Sequence, residues 1–325
     1  MATHLSFSAS NKPLRLVFMG TPEFAVPTLR MLLDGEDPVV GVVTQPDQPS
    51  GRGMAFHAPP VKVLAEARQL PVFQPAKLRT PEAFATLQAW QPDLIIVVAY
   101  GKMLPNSVLT LPPLGCINVH ASLLPKYRGA APIQWAIAQG EQETGVTIMC
   151  ISERMDAGDI LLQKRIPIEK DDTGGSLHDK LANLGAEALR EALVLLKQGR
   201  LVARPQNEAD ATYAPMIKKE DGCIDWRQSA AVIERRIRAF TPWPSAYTTF
   251  HGKLLKIYKA QPELQAAQKA VSPGTVTEVS PVHLLVATGE GQLSLVEVQL
   301  EGRRRMRIEE FLRGHAVQPG VLFGS

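Results

Sequence analysis

Asn118 and His120 stand one residue apart at the end of an apolar run, Gly115 to His120, that leads directly into Ala121-Ser122-Leu123-Leu124-Pro125-Lys126-Tyr127-Arg128-Gly129. Side chains on an extended strand alternate between its two faces, so an amide and an imidazole here address one small volume. That volume lies at the carboxyl end of a strand, before a Ser/Pro/Gly loop, where open α/β sheets place their ligands. A plainer arrangement, a loop-capping asparagine beside a histidine with an ordinary hydrogen bond, fits the two residues equally well. A third polar element follows in the turn Met155-Asp156-Ala157-Gly158-Asp159. A carboxylate near an imidazole favours the charged ring and fixes its orientation, which suits a proton shuttle or an electrostatic stabiliser. Asp156 and Asp159 are both candidates, although aspartate next to glycine also commonly satisfies turn amides.

The elements that must position these groups are legible from apolar periodicity. Leu14–Met19, Val39–Thr44, Asp93–Ala99, Gly115–His120, Gly145–Ser152 and Ile160–Ile168 read as strands. Val61–Arg68, Pro81–Trp90, Ala131–Gln139 and Ser176–Gln198 read as helices between or after them. Nearly unbroken apolar strands alternating with helices give a Rossmann-like, mostly parallel sheet with helices on both faces. The turn at Gly20 lacks the later glycines of GxGxxG, so no dinucleotide site is read there.

From residue 200 onward the pattern changes. Pro205, Asn207, Asp210, Thr212 and Pro215 break any period, so residues 201–219 are expected to be a linker between a domain over residues 1–200 and another over 220–325. One basic helix, Ser229–Phe240, and five short segments, Ala246–Phe250, Leu254–Lys259, Gly274–Val279, His283–Ala287 and Leu293–Val298, then suggest a small OB-like β-barrel.

With 325 residues, 45% of them hydrophobic and 21% charged, the chain has the composition of a folded protein of two domains. No apolar run reaches the roughly 20 residues a membrane span needs, and Met1 to Pro13 lacks the apolar centre of a secretory signal. Cytoplasmic location is therefore expected. Cys116, Cys150 and Cys223 form no CxxC pair and read as buried thiols in a reducing compartment; neither they nor any HExxH motif supply a metal site. The net charge of +3 is all C-terminal, since residues 201–325 carry 16 Lys+Arg against 13 Asp+Glu. Clusters around Arg235, Arg236 and Arg238 and around Arg303, Arg304 and Arg305 can make a local positive field, or simply a solvated basic face.

Taken with Arg128-Gly129-Ala130-Ala131-Pro132-Ile133-Gln134 after the loop, these motifs make the chain similar to the folate-dependent formyltransferases. Within that family it most resembles members that formylate methionyl initiator tRNA. Further matches lie at Phe18 to Ala25, Thr44 to Asp47, Gly51 to Gly53, Val98 to Gly101, Thr144 to Thr147, Ile224 to Trp226, Arg238 to Phe240 and Pro242 to Pro244. Only the first dozen residues and Pro262 to Pro273 carry no visible match.

The resemblance implies 10-formyltetrahydrofolate as formyl donor, with no metal, and Asn118, His120 and Asp156 as the catalytic residues. An amide and a charged imidazole are donors suited to a formyl oxygen that becomes negative on attack by an amine. The resemblance also implies folate contact by Ser122, Leu123, Leu124 and Pro125, tRNA contact by the loop carrying Arg52, and a monomer. Lys218, Lys219, Arg235, Arg236, Arg238, Arg303, Arg304 and Arg305 are candidate phosphate contacts, which position RNA without reading its sequence. Met54, Ala55 and Phe56 follow Arg52-Gly53 where many relatives carry lysines, so that loop has a weaker field or touches unpaired bases instead. Two other readings compete. A formyltransferase acting on a small amine, such as an amino sugar nucleotide or glycinamide ribotide, needs the same triad but little of the basic second domain. A noncatalytic RNA- or folate-binding protein needs no donor pair with a carboxylate.

Overall fold

The computed structural model describes residues 12–50, 55–263 and 271–324. The backbone separates into two compact units, one of Met1–Gly129, Glu143–Ile166 and His178–Ala214, the other of Ala130–Gln142, Pro167–Leu177 and Pro215–Ser325. The Arg52 tip of the long loop falls outside the described residues.

A seven-stranded sheet forms the centre of the first unit, in the order Ile160–Pro167, Glu143–Cys150, Cys116–His120, Leu94–Val98, Leu16–Gly20, Val39–Val43, Val72–Phe73. The five strands from Cys116–His120 to Val72–Phe73 pair in parallel, and Glu143–Cys150 runs antiparallel to Cys116–His120. Every residue of Leu16–Gly20 and Leu94–Val98 is buried. A strand buried on both faces must be covered on both, which is why these segments are continuously apolar rather than alternating. Each such Val, Leu or Ile contributes about 1.5–3 kcal/mol of hydrophobic burial. Strand order reverses between Leu16–Gly20 and Leu94–Val98, so the carboxyl ends around Gly20, Val98 and His120 surround the switch point. The mostly parallel α/β architecture expected from the sequence is present.

In the second unit six antiparallel strands, Ala246–Phe250, Lys253–Glu263, Val276–Ser280, His283–Ala287, Gln292–Leu300 and Met306–Arg307, form one sheet. Its apolar core gathers Ile233 and Ile237 of the Ala230–Ala239 helix with Leu255, Ile257, Leu293, Val298 and Phe311. Ser229 caps that helix by accepting from the Val232 N–H. The expected barrel-like second domain is thus built, with Ile308 and Phe311 of a short helix at Ile308–Gly314 packed into its core.

Residues 201–214, expected as the start of a linker, are tied down within the first unit. Arg204 and Ile160 exchange backbone hydrogen bonds of 2.9 and 2.8 Å, and Tyr213–Ala214 pairs in parallel with Arg128–Gly129. Cys223 departs from the expectation of buried thiols and is exposed after the short turn Lys219–Gly222, whereas burial pushes the thiols of Cys116 and Cys150 up to about 12. No helix among the described residues is long and apolar enough to cross a membrane.

Candidate functional site

At the carboxyl end of its strand Asn118 pairs with Val97 on one side and Met149 on the other, and His120 with Thr147. The alternation read from the sequence holds, so both side chains point to one side of the sheet. Asn118 is half-buried, and its amide has no hydrogen-bond partner among the described residues. His120 is buried. Its Nε2 lies 2.9 Å from the carbonyl oxygen of Tyr127. A carbonyl only accepts, so Nε2 carries a proton and donates it, which leaves Nδ1 as the ring atom turned to the rest of the site. Asp156 Oδ2 lies 3.7 Å from Nδ1, close enough for charge attraction and too long for a hydrogen bond. Of the two candidate carboxylates, Asp156 therefore partners His120; Asp159 lends its main-chain carbonyl to the Cys150 N–H at 2.9 Å.

Two glycines allow this arrangement. Gly129 sits at φ +119°, where a Cβ would also come within 2.7 Å of the Ala214 carbonyl oxygen, and its N–H donates to Asp156 Oδ2 at 2.8 Å. At Gly158 a Cβ would meet the Cys150 carbonyl oxygen at 1.9 Å, so only glycine lets the Asp156 turn lie against the neighbouring strand. Asp156 itself adopts φ +48°, a left-handed conformation that aspartate tolerates better than most residues.

The loop between His120 and Arg128 is fixed from several sides. Thr147 Oγ1 accepts from the Leu124 N–H and donates to the Ser122 carbonyl, at 3.1 and 2.7 Å. Gln163 Nε2 donates to the Leu124 carbonyl at 2.9 Å, and Ser122 Oγ donates to the Lys126 carbonyl at 2.6 Å. Ser122 and Leu124 are buried with these groups already paired. Half-buried Leu123 and Pro125 are left as the members of the expected folate loop best able to touch a ligand.

Arg128, Gln206 and Glu208 escaped a functional reading from the sequence. The Arg128 side chain is 1% exposed, and its guanidinium donates to Gln206 Oε1 at 2.8 and 3.1 Å and to both Glu208 oxygens at 3.0 and 3.1 Å. Hydrogen bonds from Arg128 and then from Arg154, whose Nη2 lies 2.7 Å from Glu208 Oε2, hold the Glu208 carboxyl down to about 2. The sequence showed Arg128 only as part of the motif Arg128–Gln134, and Gln206 and Glu208 only as polar residues in a segment without period.

A second polar network lies where the parallel strands end near residues 20, 44 and 98. Thr21 Oγ1 and Gln45 Nε2 donate to the Tyr100 carbonyl at 3.3 and 2.8 Å. Asp47 pairs with Lys62 at 2.8 Å and accepts from Gln74 at 2.7 Å, which holds its carboxyl below the usual range. This network anchors the base of the loop whose tip carries Arg52.

The basic candidates of the second unit differ in how free they are. Lys218, Lys219 and Arg303 are exposed and have no side-chain ion pair among the described residues. Arg236 donates to the Asp221 carbonyl at 2.9 Å and stacks over Phe240, and Arg238 pairs with Glu234 and donates to the Asp172 carbonyl at 2.9 Å. Arg235 packs against Gly140, with its Nε buried and unpartnered. Arg304 pairs with Glu310 at 2.7 Å and Arg305 with Glu297, the latter stacked over Tyr258. Among the described residues no three His, Cys, Asp or Glu side chains come together as a metal-binding group.

Comparison with known proteins covers most of the chain. Residues 14–193 match the formyl transferase family and residues 216–316 the formyl transferase C-terminal domain. A methionyl-tRNA formyltransferase of Geobacter sulfurreducens is 48% identical over 312 residues, spanning 96% of this chain and 97% of the relative. Another of the same name, from Desulfotalea psychrophila, is 53% identical over 306 residues, 94% of each chain. Among solved structures, an N-formyltransferase of Helicobacter canadensis in complex with folinic acid and dTDP-3-aminofucose superposes with a TM-score of 0.66. It covers 90% of this chain and 100% of that one at 18% identity, a likeness of fold alone.

Proposed function

Because the chain belongs to the formyl transferase family, we propose that it moves the formyl group of 10-formyltetrahydrofolate onto the α-amino group of methionyl initiator tRNA, in the cytoplasm, for translation initiation. The observation that carries this reading is the near full-length match, at about half identity, to relatives named for that activity. A small-amine acceptor would leave the basic residues of the C-terminal segment, which carries the net charge of +3, without a purpose.

The first unit would hold the chemistry. An α-amino group titrates near pH 7.7–8 in model peptides, and esterification of its carboxyl lowers this, so a modest base suffices to free it. Asn118, with its amide unpartnered, donates to the formyl oxygen as negative charge builds there. His120 places a positive ring beside the same oxygen, with Nε2 fixed by the Tyr127 carbonyl and Nδ1 turned toward Asp156. Asp156 faces that ring with its negative charge and relays the amine proton through water to the departing tetrahydrofolate nitrogen, whose bond to the formyl carbon breaks once the new C–N bond has formed. Donors aimed at a developing oxyanion are typically worth about 3 kcal/mol each in such sites. Leu123 and Pro125 offer apolar contact to the pterin.

Phosphate contacts in the second unit would start from Lys218, Lys219 and Arg303. Arg304 and Arg305 can exchange exposed ion pairs, which contribute roughly 0–1 kcal/mol, for RNA phosphates. Arg236 and Arg238 are bound into their own unit and can add field without direct contact.

The test offers the full chain formyl-labelled 10-formyltetrahydrofolate together with methionyl initiator tRNA, glycinamide ribotide and an amino sugar nucleotide. Label is expected in formylmethionine released from the tRNA. Label on a small amine with none on the tRNA would refute the proposal.

A further inference from the structure

Gln206 lies in the stretch that sequence alone presents as a linker, yet its carboxamide uses all four of its hydrogen-bonding capacities within the candidate site. Nε2 donates to the carbonyls of Asp156 and Gly158, at 2.8 and 2.7 Å. Oε1 accepts from Arg128 Nε and Nη2, at 3.1 and 2.8 Å. A carboxamide has two N–H donors and one oxygen with two lone pairs, so nothing is left over.

These contacts hold Asp156 from two directions. The two carbonyls flank Ala157 and clamp the turn in which Asp156 takes its left-handed conformation at φ +48°. For a residue with a Cβ that conformation is disfavoured, and it persists where surrounding contacts enforce it. From the other side, Arg128 is fixed by Gln206 and precedes Gly129, whose N–H holds Asp156 Oδ2 at 2.8 Å. Main chain and carboxylate of Asp156 are thus tied to one glutamine.

We infer that Gln206 is a positioning residue for formyl transfer, setting the 3.7 Å separation between the Asp156 carboxylate and His120 Nδ1. This rests on the formyl-transfer reading proposed above. A catalytic group displaced by about 1 Å can lose a hundredfold in rate. The Arg154 carbonyl accepts from the Ala157 N–H at 3.4 Å and the Gly129 N–H holds the carboxylate, but Gln206 is the side chain that donates to the carbonyls of both Asp156 and Gly158.

Single-turnover transfer from 10-formyltetrahydrofolate to methionyl initiator tRNA separates positioning from bulk stability. Gln206→Glu keeps oxygens for Arg128 but cannot donate to the two carbonyls. It is expected to slow transfer by about 10- to 100-fold while the KM for each substrate stays within about twofold and the unfolding temperature stays near wild type. Gln206→Ala should slow transfer at least as much, and if it does not fold, Gln206→Glu carries the test. In an Asp156→Ala background the Gln206→Glu change should add less than about twofold, because a residue acting through Asp156 has nothing left to position. Wild-type rates in Gln206→Glu, or losses that multiply in the double variant, overturn the inference. If instead the wild-type chain transfers nothing to charged tRNA, the formyl-transfer reading itself fails.

Discussion

Replacing Asp156 by asparagine removes one charge and leaves the shape of the site intact. The asparagine oxygen can still accept from the Gly129 N–H, which lies 2.8 Å from Asp156 Oδ2, and the left-handed turn suits asparagine as well as aspartate. What disappears is the attraction between a carboxylate and an imidazolium 3.7 Å apart. At an effective dielectric near 20 that attraction is about 4 kcal/mol. Only part of it acts on the barrier, because the Asp156 side chain is 17% exposed and water screens it. Since about 1.4 kcal/mol is a tenfold change in rate, the part that survives screening, about 1.4–2.8 kcal/mol, should lower kcat by roughly 10- to 100-fold. Both KM values and the unfolding temperature should stay close to wild type. Quench-flow measurement of labelled formylmethionine at saturating donor and charged tRNA reads the effect. A loss smaller than about tenfold would mean that the carboxylate does not support charge on His120, and an equal rise in KM would mean that it serves binding.

Glu208 gives a pH test. Hydrogen bonds from Arg128 and then Arg154 depress its folded carboxyl to about 2 from 4.5, so its contribution is complete above about pH 4.5 and fades as pH falls toward 2. Thermal melts of wild type and Glu208→Gln should therefore differ most above pH 4.5 and converge toward pH 2; a gap that stays constant would refute the assignment. Removing Lys218 and Lys219 together should weaken tRNA binding across sequences and lower the slope of log affinity against log salt by about 2, with formyl transfer at saturating tRNA unchanged. An unaltered slope would take both lysines out of the RNA path.

The sequence carried the framework of the site further than its support. Strands such as Leu94–Val98 are unbroken apolar runs, and the Asn118/His120 pair follows from period-two alternation, so both were visible one residue at a time. Residue types alone left Asp156 and Asp159 both open as partners of His120, and only the family resemblance singled out Asp156. The pairing depends on a left-handed turn packed against Cys150 and on the Gly129 N–H, contacts between segments far apart in sequence. Residues 201–214 looked like a linker because Pro205, Asn207 and Asp210 erase any period, yet their polar side chains reach Arg128 and the Asp156 turn. Polar contacts leave no periodic trace. Nor could the sequence show that the loop groups of Ser122 and Leu124 are held by Lys126, Thr147 and Gln163.

The most direct test of the proposed centre is the single-turnover rate of Asn118→Ala against wild type, with 10-formyltetrahydrofolate and methionyl initiator tRNA both saturating. The amide has no hydrogen-bond partner among the described residues, so the fold should be undisturbed while transfer slows by about 100- to 1000-fold. A folded variant that transfers formyl at the wild-type rate would contradict the oxyanion role of Asn118 and with it the placement of the reaction at the end of the Cys116–His120 strand.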